Sequence, residues 1–313
     1  MLRLRSELLA RTRSFFAARG FLEVETPLLS ADVVVDRHLD PLTVVLPHDA
    51  HRPQVGRQLW LQTSPEFAMK RLMAAGGEAI YQITRAFRAG EMGARHNPEF
   101  TIVEWYRRGH TMSDGMQLLS DLAEWLLMRG AARRISYREA FVEFVGVDPL
   151  CCTIDELSAA ATSHGIAASR SFATADRDQW LNLLLAERVE PNLGRGAPTL
   201  LFDYPASQAA LARIGSDPNV AERFELYVEG VELANGYCEL VDARALRERI
   251  RQASQARAAD GKPPLPTESR LLAAMEHGLP ACSGVALGFD RVVMLAAGAS
   301  DISEVLAFPI DRA

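Results

Sequence analysis

Leu4, Leu8, Leu9, Phe15 and Phe16 recur at roughly helical spacing over residues 2–19, which predicts an amphipathic helix, and Gly20 can take the left-handed conformation that ends one. Residues 21–25, Phe-Leu-Glu-Val-Glu, then alternate as a strand does until Thr26-Pro27, where proline removes a backbone donor. Residues 79–87 and 100–106 also read as strands, joined by a polar, glycine-containing connection at 88–98 that is longer than a tight hairpin. Residues 112–130 read as a helix, and 135–213 mix short helices with loops around Pro191, Gly194, Gly196 and Pro198, as an insertion between two halves of a sheet would. A hairpin at 224–228 and 232–240, turning at Glu229-Gly230, leads to a helix ending near Ala259 and a proline-rich loop at 261–266. Residues 284–288 read as a strand entering a helix at 289–297. Antiparallel strand signals without regularly interspersed helices predict an α+β fold rather than a doubly wound parallel sheet.

With 313 residues, 48% of them hydrophobic, the chain can bury a substantial core as one large domain or two small ones. No apolar run is long enough to span a bilayer, and the basic start lacks the apolar core of a secretory signal, so the expected location is the cytoplasm. Cys151, Cys152, Cys238 and Cys282 form no CxxC pair, which predicts buried, reduced thiols rather than a zinc site. A net charge of -6 argues against a protein that coats nucleic acid, because affinity for phosphate backbones comes mainly from clustered Lys and Arg. There is no GxxxxGK[ST] loop, no GxGxxG opening a helix and no GxSxG elbow, so any nucleotide site is of another kind.

Two constellations stand out. Arg85, Arg88, Glu91, Arg95, His96 and Glu99 crowd the 88–98 connection and its flanks, while Arg291 follows the glycine-rich Gly284-Val285-Ala286-Leu287-Gly288. Arginines offer a rigid fork of donors that suits phosphate oxygens, although loop arginines are equally able to be solvated or paired with glutamate. Glu225, Glu232 and Glu239 are spaced by seven, an odd number that would put successive side chains on opposite faces of a continuous strand. The Glu229-Gly230 turn and a bulge could bring them to one face, where they would hold Mg²⁺ or a substrate ammonium.

Taken in order, these segments resemble the three signature motifs of class II aminoacyl-tRNA synthetases, most closely the lysyl type. Motif 1 is similar to 15–30, with Pro27 at the dimer interface. Motif 2 is similar to 81–107, with Phe87-Arg88 and His-Asn-Pro-Glu-Phe at 96–100. Motif 3 is similar to 284–298, with Gly-Phe-Asp-Arg at 288–291. Leu-Gln-Thr-Ser-Pro-Glu at 61–66 and Glu-Leu-Ala-Asn-Gly-Tyr-Cys-Glu-Leu at 232–240 add lysine-type detail. The resemblance implies an α+β catalytic core with a central antiparallel sheet flanked by helices, a single domain over 1–313 with an insertion at about 135–213.

It further implies ATP and Mg²⁺, with Arg88 and Arg291 as the catalytic arginines on the α- and γ-phosphates. Glu91, His96, Asn97, Phe100, Glu232, Leu233 and Gly288 would line the nucleotide, Phe100 stacking on adenine, and Glu225 and Glu232 would hold the metal. Ser64, Pro65, Glu66, Glu104, Tyr106, Asn235, Glu239 and Ala286 would form the amino-acid pocket, with Glu66 taking the amino group near the carboxylate and Glu239 the side-chain ammonium. The chain departs from Arg-x-Glu in motif 2, since Ala89-Gly90 separates Arg88 from Glu91. Motif 1 begins almost at Met1, so the expectation is a core without an anticodon-binding domain and without stable tRNA binding.

In that respect the chain resembles the elongation factor P lysine ligases, truncated lysyl-tRNA synthetase paralogues. Tyr-Pro-Ala-Ser-Gln-Ala-Ala-Leu-Ala at 204–212 and Cys-Ser-Gly-Val-Ala-Leu-Gly at 282–288 look like that subgroup, with Ala286 where a synthetase usually has glycine. The implied reaction joins (R)-β-lysine, through its adenylate, to a lysine ε-amino group of elongation factor P, by a homodimer with no membrane partner. Two alternatives are a free-standing enzyme that charges tRNA or another amine with α-lysine, and a non-catalytic sensor of lysine or ATP.

Overall fold

A computed structural model describes residues 1–168, 172 and 176–313. The backbone forms two compact units, Met1–His110 with Glu239–Ala313, and Thr111–Cys238. Of the insertion expected at about 135–213, residues 169–171 and 173–175 lie outside the described residues. The first unit opens with helix α1 (Leu2–Ala17), short strands β1 (Leu22–Glu23) and β2 (Leu29–Ser30), strands β3 (Thr43–Pro47) and β4 (Gly56–Leu61), helix α2 (Glu66–Ala74), and the long strands β5 (Ala79–Phe87) and β6 (Glu99–Arg108). The second contains α3 (Met112–Leu127), β7 (Arg133–Ser136), α4 (Tyr137–Phe144), α5 (Ile154–Ser163), α6 (Arg177–Leu184), β8 (Thr199–Pro205), β9 (Val220–Val228) and β10 (Val231–Cys238). The chain then returns to the first unit with α7 (Ala243–Ala259), α8 (Arg270–His277), β11 (Cys282–Gly288) and α9 (Phe289–Ala297).

In the first unit the strands run in the order β1-β5-β6-β11, parallel at β1–β5 and antiparallel elsewhere. Tyr81 stands opposite Trp105, which stands opposite Val285, and such neighbours share a face. Helix α1 covers that face: the Phe16 ring stacks on Tyr81 at 4.5 Å between centroids and lies 5.2 Å from Trp105. All three side chains are buried, so the hydrophobic stripe read at 2–19 is the seam that holds the helix on the sheet. Asp290, in the first turn of α9, accepts from the Thr101 N–H at 2.7 Å and from Arg5 Nη1 at 2.6 Å, tying α1 and α9 to β6. The opposite face carries Gln82, Phe100, Glu104, Tyr106, Gly284 and Ala286, and it is the face of the site. A separate three-stranded sheet, β2-β4-β3, leads into α2 and was not foreseen.

In the second unit the order is β10-β9-β8-β7, antiparallel except at β7–β8. Its core gathers Tyr137, Phe141, Leu157, Trp180, Leu184 and Tyr227. Helices α3, α4 and α5 each open with a capping box, Thr111 with Asp114, Ser136 with Glu139 and Thr153 with Glu156, which satisfies otherwise orphaned N–H groups. Glu229 and Gly230 have φ of 52° and 71°, the two left-handed residues that a tight hairpin turn requires. The register of β10 shifts between Glu232 and Ala234, so Leu233 is the extra residue of a bulge.

Several expectations need adjustment. Helix α1 stops at Ala17, capped by Ala18, and Gly20 takes its left-handed φ of 73° in the turn beyond. Of the strand expected at 21–25, Leu22–Glu23 forms the ladder with β5, and the Val24 N–H just beyond it donates to the Tyr81 carbonyl at 2.9 Å. Cys152, Cys238 and Cys282 are buried, but Cys151 is exposed in the turn ahead of α5, so the expectation of four buried thiols is wrong at that position. Among the described residues, no helix is long and apolar enough to cross a membrane.

Candidate active site

Strand β4 runs into α2 through Gln62-Thr63-Ser64-Pro65, with Pro65 as the N-cap residue, so that Glu66 opens the helix, where a carboxylate complements its positive end. The Glu66 N–H donates to Ser64 Oγ at 3.0 Å, and Ser64 in turn donates to Glu104 Oε2 at 2.7 Å. Tyr106, two residues along β6 on the same face, donates its hydroxyl to Glu104 Oε1 at 2.7 Å. Glu239 enters from beside β11, its N–H donating to the Cys282 carbonyl at 3.0 Å. One turn along α2, Lys70 Nζ lies 2.5 Å from Glu66 Oε1 and 2.5 Å from Glu239 Oε2. Three carboxylates and one ammonium thus line the sheet face, with Glu104, Glu239 and Lys70 almost completely buried.

Burial shapes the charge of this pocket. Glu104 is pushed up to about 8 by burial and by neighbouring Glu66, against the hydrogen bonds from Ser64 and Tyr106, so it carries a proton at neutral pH. Burial also raises Glu239, although the Lys70 charge opposes it. Burial would lower Lys70, but Glu239 and Glu66 outweigh that and keep it charged. Tyr106 is raised well above the ordinary phenol by burial and by Glu104. Neither oxygen of Glu239 receives a well-directed hydrogen bond, the Lys70 contact being an ion pair, and Thr63 Oγ1 is likewise buried and unsatisfied. A buried carboxylate in that condition has lone pairs to offer a ligand. Gly284 gives the pocket its floor: a Cβ there would stand 2.3 Å from Glu239 Oε1 and 2.3 Å from Tyr106 Cε1. Ala286 stands opposite Glu104 in the β6–β11 register.

Farther along the same face, the 88–98 connection is pinned at several points. The Arg88 N–H donates to the Pro98 carbonyl at 2.9 Å, Ala89 N–H to Asp40 at 2.7 Å, and Ile302 N–H to the Ala94 carbonyl at 2.7 Å. Asn97 donates to the Glu99 carbonyl at 2.6 Å and accepts from the Ile310 N–H at 3.0 Å. The Arg88 guanidinium carbon sits 5.0 Å from the centroid of the Phe100 ring, and Glu91 Oε1 is 3.6 Å from Arg88 Nη1. Gly288 is the N-cap of α9, from whose first turn Arg291 Nη2 donates to His96 Nε2 at 2.6 Å. His96 is lowered by burial and by the Arg291 charge, so it accepts as a neutral ring. Two arginines, a planar ring and a neutral imidazole therefore line one stretch of sheet, an arrangement suited to a nucleotide polyphosphate.

The remaining candidates lie in the second unit. Glu225 stands opposite Asn235 and Tyr227 opposite Glu232, so the bulge at Leu233 puts both glutamates on one face despite their odd spacing. Glu225 is paired with Arg223 Nη2 at 2.5 Å and accepts from the Tyr227 hydroxyl at 2.6 Å. The Arg223 guanidinium, buried and 4.4 Å from the Tyr204 centroid, already neutralises that carboxylate. Leu233 is buried, and Asn235 Oδ1 is buried without a hydrogen-bond partner. No group of three or more metal-ligating side chains occurs among the described residues. Two carboxylates on one face still fit a magnesium ion that takes its other ligands from phosphate and water, with Glu232 half-buried and Glu225 buried.

A family model for tRNA synthetases class II (D, K and N) matches residues 1–312. The chain belongs to this family. Its α+β architecture is that of the class II synthetase catalytic core, and membership carries ATP-dependent activation of an amino acid as the aminoacyl-adenylate. The family works with ATP and Mg²⁺. Lys70 lies against Glu66 and Glu239 in this cluster, yet it is absent from the residues expected from sequence. The signal for Lys70 was its place four residues after Glu66 in a helix otherwise rich in Phe67, Met69 and Met73, the spacing at which opposite charges meet.

Proposed function

We propose that this class II enzyme activates a diamino acid of the lysine class, (R)-β-lysine, and transfers it to a lysine ε-amino group of elongation factor P. What supports the choice among D, K and N substrates is the buried triad of Glu66, Glu104 and Glu239. An aspartate side chain would be repelled there, an asparagine amide would leave a carboxylate unneutralised, and an ammonium would match. Glu66 would take the amino group nearer the carboxylate, and Glu239 with Tyr106 the far ammonium. The choice of acceptor rests on the likeness of 204–212 and 282–288 to the elongation factor P ligases, and on Ala286, whose added methyl relative to glycine shifts selectivity by about 1–3 kcal/mol.

The chemistry requires no protein nucleophile. The substrate carboxylate attacks the α-phosphorus of ATP in line, forming the acyl-phosphate bond as the bond to pyrophosphate breaks. Arg88 stabilises charge on the α-phosphate oxygens and Arg291 holds the γ-phosphate, while Phe100, Glu91 and neutral His96 line the nucleotide. Glu232 and Glu225 would hold Mg²⁺, which supplies charge neutralisation on the phosphates. The acceptor amine then attacks the acyl carbon and releases AMP. A homodimer is part of the same proposal, with Leu22 and Leu28 exposed on either side of Pro27 and available for a partner copy.

The test is intact-mass analysis after incubation with ATP, Mg²⁺ and (R)-β-lysine, in the presence of elongation factor P or tRNA. One β-lysyl group added to elongation factor P is the expected product. Lysyl-tRNA without modified elongation factor P would overturn the choice of acceptor, and nucleotide binding without any product would identify a sensor.

A further inference from the structure

Lys70 has no part in the chemistry above, yet it is a charge buried almost as deeply as Glu239 and Glu104 in the same pocket. Its side chain is 3% exposed and its ammonium lies 2.5 Å from each of two carboxylates, Glu66 on its own helix and Glu239 beside β11. Glu104 and Tyr106 face the same space from β6. A lysine placed there for packing alone would be poorly chosen, since burying an ammonium costs several kcal/mol unless it is paired. Nor does it use up its partners: the Glu239 oxygens receive no well-directed hydrogen bond, and so retain acceptor capacity for a second ammonium.

We propose that Lys70 is a positioning residue for specificity: its fixed positive charge, wedged between Glu66 and Glu239, holds the two carboxylates in place so that a ligand's ammonium groups can share them. The proposal rests on the diamino-acid function given above and extends it. Glu104 shows what happens to a buried carboxylate in this pocket that has no ammonium against it: it takes a proton. Without Lys70, Glu239 would do the same, with Glu66 adding like-charge repulsion, and a protonated Glu239 presents no charge to a cationic substrate. With Glu104 protonated, two carboxylates face one lysine and leave room for one further positive charge, so Lys70 sets the count at which a diamino acid, with its one net positive charge, balances the site and a zwitterion of no net charge does not.

The experiment is amino-acid-dependent ATP–pyrophosphate exchange by wild type and Lys70→Met, with α-lysine and (R)-β-lysine, at pH 6.5 to 9.5. Each unit by which a carboxyl group's pKa exceeds the pH removes its anion about tenfold, so the variant's amino-acid KM rises about tenfold or more at pH 7. It returns toward the wild-type value as pH approaches 9.5, and KM for ATP stays unchanged. A KM raised equally at every pH would make Lys70 merely structural. An unchanged KM, or a lowered one with Lys70 acting as a competitor for the pocket, would also overturn the proposal. Lys70→Gln, which keeps an N–H donor but not the charge, gives the same readout if Lys70→Met does not fold. Failure of wild type to exchange with either diamino acid would instead sink the assigned substrate class and leave the role of Lys70 to fall with it.

Discussion

Gly284→Ala is the most direct steric probe of the amino-acid pocket. Gly284 lies in the middle of β11 with no left-handed φ to accommodate, so the substitution introduces contact rather than backbone strain. The new methyl would stand 2.3 Å from Tyr106 Cε1, 2.5 Å from Tyr106 Cδ1 and 2.3 Å from Glu239 Oε1, all far inside van der Waals separation. Tyr106 is buried and held to Glu104 by its hydroxyl, so neither ring nor carboxylate can move aside without breaking the polar arrangement. Overpacking of this kind costs about 1–3 kcal/mol, and a displaced Glu239 loses its geometry toward an ammonium. Thermal unfolding should register the cost as a Tm lower by several degrees, while pyrophosphate exchange shows a raised amino-acid KM and an unchanged ATP KM. A variant with wild-type Tm and wild-type amino-acid KM would refute the placement of Gly284 at the pocket floor.

Two other perturbations test the electrostatics. The Glu104 carboxyl titrates near 8 in the folded protein against an ordinary 4.5, so its contribution to stability is fully present below pH 4.5 and is lost as pH rises through about 8. Relative to Glu104→Gln, wild type should therefore lose about 1.4 kcal/mol per pH unit across that window, seen as diverging Tm profiles; parallel profiles would place Glu104 in water. Arg291→Ala should slow adenylate formation by about 100-fold or more while changing stability by no more than about 0.5 kcal/mol, because the arginine lies at the surface, where it contacts His96 and the Arg95 carbonyl. In the same variant the His96 ring, freed of the adjacent guanidinium, should titrate at higher pH by NMR, and an unmoved titration would break the Arg291–His96 link.

The long strands and the last helix were legible because their patterns are strong: 79–87 and 289–297 coincide with β5 and α9 residue for residue. Short elements were not, since β1 and β2 are two residues each and owe their existence to pairing partners far along the chain. The common face of Glu225 and Glu232 could be posed from spacing but not decided, because the answer depends on one bulged residue, Leu233. Lys70 escaped notice for a different reason. Lys70-Arg71 reads as a solvated helix face, and only the approach of Glu239 from a distant segment makes that lysine the centre of the pocket. Cys151 shows the converse limit, an apolar residue type exposed by a turn that composition cannot foresee.

That an acidic cavity on the sheet face selects a diamino acid can be tested by comparing ATP–pyrophosphate exchange driven by (R)-β-lysine, α-lysine, norleucine, aspartate and asparagine in wild type and Glu239→Gln. The two diamino acids should support exchange in wild type, norleucine and the acidic or amide side chains should not, and Glu239→Gln should raise the KM for the diamino acids alone. Exchange driven by aspartate, or by norleucine as well as by lysine, would contradict the assignment.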